Sequence, residues 1–273
     1  MDRQIEKRLA IVGLGKMGSI LLEAFLEQDL FDPSRIRASV RHSHRVEERR
    51  KKFDIEVSTD NRHTVADAEI VLLCVKPQVV NEVCREISQT LRPDALLISS
   101  SASVPTRRIE DVLGDIAVVR AMPNTPCVLG AGMTGICPGR YANPSHLDLT
   151  RRLFDSVGRT VTVDEKQMDA VTGLSASGPA FLYIILESLA EAGVKVGLPR
   201  DVATLLAAQT ALGASQMVLE TSSHPALLKD EVTTPAGCTI DGILELEEGK
   251  LRVTLIKAVV KAAQRAKQLV DDQ

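Results

Sequence analysis

Three glycines near the start of the chain constrain its fold more than any other feature. The segment Gly13-Leu14-Gly15-Lys16-Met17-Gly18 follows directly on residues 8–12, which are apolar after Arg8, and precedes an apolar segment that continues to about residue 26. A buried strand, a glycine-rich turn and a helix in this order form the dinucleotide-binding fingerprint. The first glycine permits a tight turn, the second lets the backbone approach a pyrophosphate, and the third lets helix and strand pack closely. The chain is therefore predicted to begin with a Rossmann-type strand, turn and helix.

The pattern of an apolar strand followed by a polar or small-residue loop recurs through the first 163 residues. Apolar segments of strand length occupy residues 69–75, 96–99 and 117–122. The glycine-rich segment Gly130–Gly135 is expected to be one of the loops. Strands that deliver their loops to one edge are typical of a doubly wound sheet. We therefore expect an α/β fold in which residues 1–163 form an N-terminal Rossmann-type domain that binds NADP.

After Val163 the strand pattern stops, and residues 164–273 predict helices alone. Residues 168–192 are nearly continuously apolar, and Pro179 is expected to kink a helix there or to start a new one. Further helices are expected over residues 199–219 and 250–270. Helices with small-residue faces and no sheet form a poor core by themselves. We therefore expect residues 164–273 to be an all-helical dimerisation and substrate-binding domain that packs against a second copy of the chain.

The end of the second predicted strand, residues 35–40, indicates which dinucleotide is bound. An NAD-binding protein usually has an acidic residue there, which accepts a hydrogen bond from the ribose 2′-hydroxyl. This chain has Ser39 and Arg41 instead, followed by further basic residues. A hydroxyl and a guanidinium group suit a 2′-phosphate, which an acid would repel. The sequence favours NADPH, with NADH as the weaker alternative, although the basic residues 45–52 also suit a solvated surface helix.

Lys76 follows the buried strand at residues 69–75. A lysine just beyond the carboxyl end of a parallel strand lies at the crevice where open α/β sheets bind ligands. A solvated loop lysine is the simpler interpretation, and the sequence alone favours it.

A second unusual segment, residues 232–242, lies late in the chain. It contains Thr234-Pro235-Ala236-Gly237-Cys238-Thr239, in which small residues and hydroxyls form a turn before a predicted helix. Free backbone N–H groups at a helix start can bind an anion. Threonine and proline are also common at ordinary helix starts, so the segment alone leaves both interpretations open.

Composition excludes several classes of protein. The net charge is −3, and the chain has no tryptophan and only seven other aromatic residues, which does not favour nucleic-acid binding. No uninterrupted apolar run of about 18 residues and no apolar leader are present, so we expect a cytoplasmic protein without a membrane span. The five cysteines form no Cys-x-x-Cys pair, and no histidine lies at metal-ligand spacing. Reduced thiols and no metal are therefore expected.

Taken together, these segments resemble the pyrroline-5-carboxylate reductase family of bacterial-type proline biosynthesis enzymes. The matching segments are Gly13–Gly18, Cys74–Gln78, Arg120–Pro126, Asp169–Phe181 and Val232–Gly242. The resemblance implies the NADPH-dependent reduction of the cyclic imine 1-pyrroline-5-carboxylate to L-proline. It also implies a homodimer that shares its active site between subunits, and in many members a decamer of five dimers.

The resemblance also implies a set of site residues. The cofactor contacts would be Gly13, Leu14, Gly15, Lys16, Met17, Ser39, Arg41, Asn61, Val75, Lys76, Pro77, Ser100, Ser101 and Ala102. The substrate contacts would be Glu165, Ala236, Gly237, Cys238 and Thr239. The backbone of residues 236–239 would hold the carboxylate and Thr239 would hydrogen-bond the ring nitrogen. Thr239 and Lys76 are the candidate catalytic residues.

The late segment departs from the family pattern at three positions, of which Thr234 keeps a hydroxyl and Ala236 and Cys238 change the chemistry. Family members commonly have Ser-Pro-Gly-Gly-Thr-Thr there, where this chain has Ala236 and Cys238. Alanine lacks the freedom of glycine at positive φ. Because of these departures, the sequence does not predict the affinity for the substrate or the ring size of the imine that is accepted.

Two other functions share parts of this pattern. A β-hydroxyacid dehydrogenase has the same architecture but needs a catalytic lysine on the long helix, and residues 179–186 contain none. An NADP-binding regulatory protein without turnover would have a damaged late segment, whereas this one is largely intact. Reduction of a six-membered or 2-carboxylate imine is a further alternative.

Overall fold

The computed structural model describes residues 4–271, and an eight-stranded sheet is the centre of its larger part. The strand order is β3-β2-β1-β4-β5-β6-β7-β8. The strands are β1 (Leu9–Val12), β2 (Ile36–Ser39), β3 (Glu56–Ser58), β4 (Ile70–Leu73), β5 (Leu96–Ser99), β6 (Ala117–Met122), β7 (Gly132–Pro138) and β8 (Gly158–Thr162). All neighbouring strands are parallel except β6 and β7. The expected α/β class and N-terminal Rossmann-type sheet are confirmed.

The central strands are apolar throughout because both faces of the sheet are covered. Every residue of β1, β4 and β5 is buried. Alternate side chains contribute to two separate apolar clusters, with Leu9 and Ile11 in one and Ala10 and Val12 in the other. Burial on both faces removes the alternation of polar and apolar residues that marks a half-exposed strand.

Six α-helices cover or connect the strands of this sheet. They are α1 (Lys16–Glu27), α2 (Val46–Phe53), α3 (Asn61–Val65), α4 (Val80–Ile87), α5 (Thr106–Leu113) and α6 (Pro144–Asp155). Short 3₁₀ turns occupy Pro33–Arg35, Ser43–Arg45, Pro77–Val79, Thr125–Leu129 and Glu165–Gln167. The predicted surface helix among basic residues 45–52 is present as α2.

The expectation that Gly130–Gly135 is a loop was wrong for most of its length, because β7 begins at Gly132. The two glycines within β7 serve close packing, whereas Gly130, which precedes the strand, has φ +66° and does provide turn freedom. A Cβ atom at Gly132 would lie 2.2 Å from the Cys127 sulfur, and one at Gly135 would lie 2.7 Å from the Val171 side chain. Gly158 on β8 has φ +152°, and a Cβ there would lie 1.9 Å from the Gly132 carbonyl oxygen. Sequence patterns do not separate this use of glycine from a turn.

After β8 the described chain is helical, as predicted. It continues through α7 (Met168–Val171), a π-helical turn at Thr172–Ala176, and then α8 (Gly178–Lys195), α9 (Arg200–Thr221), α10 (Pro225–Glu231), α11 (Cys238–Glu248) and α12 (Leu251–Asp271). Pro179 lies in the first turn of α8, where its missing N–H has no helical partner to lose. Pro199 caps α9. The chain divides into two compact units, of which the second is Gly178–Val260, and the first includes the chain up to Ser177 and from Lys261 onward.

Two helical segments, Glu165–Lys195 and Arg200–Thr221, are long and apolar enough to cross a membrane by length and composition alone. Neither segment contains an uninterrupted apolar run of about 18 residues, because serine, threonine, glutamine and glutamate residues interrupt both. Only 6% of the most apolar window of each is buried within the chain. In α8 and α9, Tyr183, Ile184 and Leu205 are each more than 60% exposed. A single copy of the chain therefore leaves a large apolar helical surface uncovered.

Candidate active site

The glycine turn between β1 and α1 has the geometry of a dinucleotide-binding loop. Gly13 has φ +97°, and a Cβ atom on it would lie 2.9 Å from the Cys74 carbonyl oxygen. A Cβ on Gly18 would lie 2.5 Å from the Gly13 carbonyl oxygen, so both positions require glycine. The Leu14 N–H donates to the Ser39 carbonyl at 2.8 Å, which ties the turn to the end of β2.

The start of α1 is suited to a phosphate group. A Cβ built on Gly15 has no heavy atom within 4 Å, so the space in front of the turn is open. No side chain in the described chain caps this helix start, and its first turn has no acidic residue. The first N–H groups of a helix without such a cap attract anions, through their own dipoles and the field of the helix. The residues present therefore fit the pyrophosphate of a dinucleotide.

Two glycine substitutions separate binding from folding at this turn. Gly15→Ala should leave thermal stability nearly unchanged, because the new methyl group meets open space, but should weaken NADPH binding about tenfold by blocking the pyrophosphate. Gly18→Ala should cost about 1–3 kcal/mol of stability, because its methyl group overlaps the Gly13 carbonyl. Thermal unfolding and NADPH titration of both variants test this prediction. Equal destabilisation by the two substitutions would contradict it.

The loops after β4 and β5 form the next part of the crevice. Ser100 donates its N–H to the Leu73 carbonyl at 2.9 Å, and its hydroxyl lies 3.1 Å from the Cys74 sulfur. The Ser101 hydroxyl donates to the Val75 carbonyl at 2.8 Å. Burial raises the pKa of the Cys74 thiol to about 12, so this thiol is neutral at physiological pH. The predicted residues of these two loops, Val75 to Pro77 and Ser100 to Ala102, thus meet at one edge of the sheet.

Lys76 is exposed at the carboxyl end of β4, where it precedes the short turn Pro77–Val79. The residues around Lys76 favoured a solvated loop lysine, and only the family resemblance made it a candidate catalytic residue. The structure places Lys76 beside the Ser101–Val75 contact, and its role in the reaction stays a prediction.

At the end of β2, Ser39 is held in a hydrogen-bond network rather than turned towards solvent. Its hydroxyl donates to the Asn61 side-chain oxygen at 2.7 Å and accepts from the Gly13 N–H at 3.3 Å. The Asn61 amide donates in turn to Glu86 at 2.8 Å. Ser39 is 2% exposed, so a direct bond to a 2′-phosphate would require this network to open. Arg41, by contrast, is exposed.

Glu165, a predicted substrate contact, is engaged by two groups of the sheet unit. One carboxylate oxygen is ion-paired with Arg120, and the other accepts the Thr106 N–H at 3.1 Å. Arg120 is 2% exposed and also lies 3.8 Å from Asp169. Its Nε and Nη2 atoms and the Asp169 Oδ1 atom have no hydrogen-bond partner among the described residues. The Arg120–Glu165–Asp169 cluster therefore links β6 to the segment that leads into the long helices.

Arg120 was not predicted as a site residue, although its position in a buried strand indicated that it needs a charged partner. It is the only charged residue of the otherwise apolar strand Ala117–Met122. A charge inside a strand that is buried on both faces needs a partner. Burial also raises the pKa of the adjacent Cys137 thiol to about 12, with the Glu165 charge as the next contribution.

The late segment, which belongs to the second compact unit, is a helix start without a side-chain cap among the described residues. Gly237 is the N-cap of α11, and Cys238 and Thr239 are its first two residues. A Cβ atom on Gly237 would lie 2.4 Å from the Thr234 hydroxyl, which explains this glycine. Ala236 has φ +57°, a left-handed conformation that glycine adopts more readily. The first turn of α11 therefore has the uncapped N–H groups that an anion site would need, and its role in binding stays a prediction.

The cysteines and acidic residues give no sign of a metal site. All five cysteines are free. No group of three metal-ligating side chains occurs within residues 4–271.

Sequence comparison identifies the family. The profile described as pyrroline-5-carboxylate reductase dimerisation matches residues 165–269, and that described as NADP oxidoreductase, coenzyme F420-dependent, matches residues 8–103. The pyrroline-5-carboxylate reductase of Methanosarcina acetivorans is 41% identical over 264 residues, which cover 96% of this chain and 98% of the relative. The chain belongs to the pyrroline-5-carboxylate reductase family. The enzyme of that name from Escherichia coli is 32% identical, over 97% of this chain and 99% of its own.

Solved structures of this family have the same fold. A pyrroline-5-carboxylate reductase from Coxiella burnetii superposes with a TM-score of 0.89 at 34% identity, covering 97% of this chain and 99% of its own. The Plasmodium falciparum pyrroline carboxylate reductase, solved with NADP bound, has a TM-score of 0.88 at 29% identity, with 97% and 98% covered. The predicted resemblance is therefore confirmed, and a dimerisation domain is present in this chain.

Proposed function

We propose that this chain catalyses the NADPH-dependent reduction of 1-pyrroline-5-carboxylate to L-proline. The observation that carries the proposal is the open anion-binding turn at Gly15, in a chain that matches pyrroline-5-carboxylate reductases over nearly its full length. NADP bound in the similar Plasmodium falciparum enzyme supports NADP as the cofactor. The enzyme is thus an oxidoreductase that acts on a CH–NH group.

The sheet unit would hold the cofactor at one edge. The turn of Gly13, Leu14, Gly15, Lys16 and Met17 would bind the pyrophosphate through backbone N–H groups. Asn61 and Ser39 would support the ribose side through their hydrogen-bond network. The loops Val75–Lys76–Pro77 and Ser100–Ser101–Ala102 would line the path towards the nicotinamide. When bound, NADPH supplies the hydride that the imine carbon accepts.

The start of α11 would hold the substrate carboxylate with the backbone of Ala236, Gly237, Cys238 and Thr239. The Thr239 hydroxyl would hydrogen-bond the ring nitrogen. As the hydride reduces the protonated imine, the nitrogen loses its positive charge and gains a lone pair, to which the Thr239 O–H can donate. This hydrogen bond orients the ring and strengthens towards the transition state, so no strong general base is needed. An ammonium group at Lys76 would attract the anionic groups of cofactor or substrate.

A contact from Glu165 to the substrate has to coexist with its two existing bonds. A carboxylate has about four acceptor positions, so the ion pair with Arg120 and the bond from Thr106 leave some of them free. The Glu165 side chain is 34% exposed. Glu165 would therefore contact the substrate and, through Arg120 and Thr106, also hold the segment that follows β8 in place.

We further propose that two chains form a homodimer through residues 164–273, with residues 1–163 as the cofactor domain. The match of the dimerisation profile to residues 165–269 and the exposed apolar side chains of α8 and α9 support this division. The active site would combine the cofactor crevice of one subunit with the helical domain of the other. A decamer of five dimers is the larger assembly to test, and the proposed compartment is the cytoplasm, with neither membrane nor nucleic acid as a partner.

The proposed activity is tested by the initial rate of NADPH oxidation with 1-pyrroline-5-carboxylate. The six-membered imine analogue and, in the oxidative direction, 3-hydroxyisobutyrate with NADP⁺ are run beside it. Fast turnover of the five-membered imine alone is expected. Faster turnover of the six-membered imine would mean that this compound, and not 1-pyrroline-5-carboxylate, is the substrate. Binding of NADPH without turnover of any compound would favour a regulatory protein.

Arg41→Ala tests the predicted contact to the 2′-phosphate. Arg41 is exposed at the end of β2, where a guanidinium group can bind the phosphate in a bidentate manner. The substitution should weaken NADPH binding by about 1–2 kcal/mol, or roughly 5- to 30-fold, and leave NADH binding nearly unchanged. Equal losses for both cofactors would show that Arg41 does not contact the 2′-phosphate.

A further inference from the structure

A π-helical turn at Thr172–Ala176 lies between α7 and α8. Its defining hydrogen bond runs from the Ser177 N–H to the Thr172 carbonyl at 3.0 Å, a spacing of five residues instead of the four of an α-helix. In an α-helix, residue 179 would donate to the Ser175 carbonyl, but that residue is Pro179, which has no N–H. The Ser175 carbonyl therefore needs a donor from elsewhere in the fold.

Asn124, in the loop after β6, supplies that donor. Its side-chain nitrogen donates to the Ser175 carbonyl at 3.2 Å, and its side-chain oxygen accepts the Met133 N–H at 2.9 Å. These two partners fix the orientation of the carboxamide, because a carbonyl must face its nitrogen and an N–H its oxygen. Asn124 and Ser175 are both half-buried. One side chain thus joins the loop after β6, the start of β7 and the π-helical turn.

The π-helical turn lies beside one of the predicted cofactor loops. Ala102, the last residue of the predicted loop after β5, and Ala176, the last residue of the turn, pack against the same apolar cluster. The buried members of that cluster are Met122, Cys137 and Met168. Met122 is the last residue of β6. The π-helical turn is therefore at the carboxyl edge of the sheet, where open α/β sheets bind their ligands.

The dinucleotide would lie along this edge in a fixed direction. In Rossmann folds the adenosine ribose lies at the end of the second strand, and the pyrophosphate lies at the start of the first helix. The strand order β2-β1-β4-β5-β6 then leaves the nicotinamide half over β4 to β6. The π-helical turn would thus face the nicotinamide half of the cofactor and not the adenosine half.

We propose that Asn124 is a positioning residue for hydride transfer, which holds the π-helical turn in place as the side of the crevice next to the nicotinamide. The inference rests on the proposed function. Asn124 acts through the backbone of the π-helical turn and not by contact with the substrate. A shift of this turn by a fraction of an ångström would change the distance and angle between the reacting atoms, on which the rate depends steeply. The contacts of the adenosine and the pyrophosphate, on β2 and α1, would stay as they are.

Asn124→Asp tests whether the side chain holds the turn. Aspartate retains an acceptor for the Met133 N–H but replaces the donor to Ser175 by an oxygen. Two oxygens that face each other without a hydrogen atom repel, so the π-helical turn should loosen. In the cofactor-free protein, amide hydrogen exchange over residues 172–177 should become about tenfold faster, as followed by mass spectrometry. Exchange over residues 13–17 should not change.

Hydride transfer is measured in single turnovers, by stopped-flow absorbance of NADPH with the enzyme in excess and 1-pyrroline-5-carboxylate at saturation. In Asn124→Asp the rate constant should fall about 10- to 100-fold, while the amplitude and the NADPH dissociation constant stay as in the wild type. Deuterium at the transferred position of NADPH should slow this phase, which identifies it as hydride transfer. A merely structural defect would lower the amplitude, because fewer molecules would be active, and would leave the rate constant unchanged.

Asn143→Asp is the matched control. It makes the same change at the N-cap of α6, where the carboxylate retains the acceptor for the His146 N–H, and it should leave hydrogen exchange and the rate constant at their wild-type values. Asn124→Ser removes the donor to Ser175 without adding a charge. It repeats the test if Asn124→Asp does not fold.

A wild-type rate constant in folded Asn124→Asp would overturn the inference, as would wild-type hydrogen exchange over residues 172–177. A loss of amplitude alone would also overturn it. A wild-type protein that oxidises no NADPH with the imine would refute the proposed function instead, and hydrogen exchange would still show whether Asn124 holds the π-helical turn.

Discussion

Arg120→Met is expected to lower the free energy of unfolding of the sheet unit by about 3–5 kcal/mol. Arg120 is 2% exposed and lies between the carboxylates of Glu165 and Asp169. Methionine fills a similar volume but leaves two partly buried carboxylates without their shared counterion. Removal of one partner of a buried ion pair is costly because the remaining charges lose their counterion, and water reaches Glu165 and Asp169 only in part, since their side chains are 34% and 29% exposed.

The loss is measured by urea unfolding followed by circular dichroism, since the chain has no tryptophan for fluorescence. Protein concentration is held fixed because self-association adds to the apparent stability. Hydrogen exchange at β6 assigns the loss to the sheet unit rather than to the helices.

Two further variants separate the charge from the packing. Glu165→Gln retains an acceptor for the Thr106 N–H and leaves Arg120 with Asp169, so its loss should be smaller. Adding Glu165→Gln and Asp169→Asn to Arg120→Met removes the uncompensated charges and should recover part of the stability. If Arg120→Met alone lowers the free energy of unfolding by less than about 1 kcal/mol, the cluster does not stabilise the link between β6 and the segment that contains Glu165 and Asp169.

Thr239→Ala is expected to lower kcat about 30- to 1,000-fold, which corresponds to about 2–4 kcal/mol of transition-state stabilisation. Thr239 is the second residue of α11 and would hydrogen-bond the ring nitrogen, where the charge changes most during reduction. The KM for the imine should change little, because the backbone of residues 236–239 holds the carboxylate in both states. Steady-state kinetics with saturating NADPH measure both constants.

The neighbouring hydroxyls provide the controls. Thr239→Ser retains the hydroxyl and should recover most of kcat. Thr233→Ala should have almost no effect on kcat, because the Thr233 hydroxyl donates within its own helical turn, to the Lys229 carbonyl at 2.7 Å. If Thr239→Ala turns over at the wild-type rate under saturation, Thr239 has no part in the mechanism.

The backbone of the late segment was also partly predictable. The departure from glycine at Ala236 raised the question of positive φ, and the structure has φ +57° there. Glycine is favoured at position 237 because a Cβ atom there would lie 2.4 Å from the Thr234 hydroxyl. The sequence could not show this contact, because it depends on the local turn geometry and not on residue type.

The cofactor edge shows where prediction from the sequence ends. The Gly13–Gly18 motif predicts a strand, a turn and a helix, since only glycine tolerates the close approaches that this geometry requires. The direction of the Ser39 side chain was not predictable, because it is set by Asn61, 22 residues later. A residue type indicates which bonds a side chain can make, whereas packing decides which of them it does make.

By itself, the sequence determined the α/β class, the division into a Rossmann-type half and a helical half, and the family, since these follow from local apolar patterns and from glycine and proline positions that few backbones satisfy. Only the tertiary structure decided that β7 runs antiparallel to β6, that Ser39 is turned inward and that Arg120 binds Glu165 and Asp169. Each of these depends on contacts between residues far apart in the chain. Their energies are settled by burial and by the available partners, which local sequence patterns do not specify.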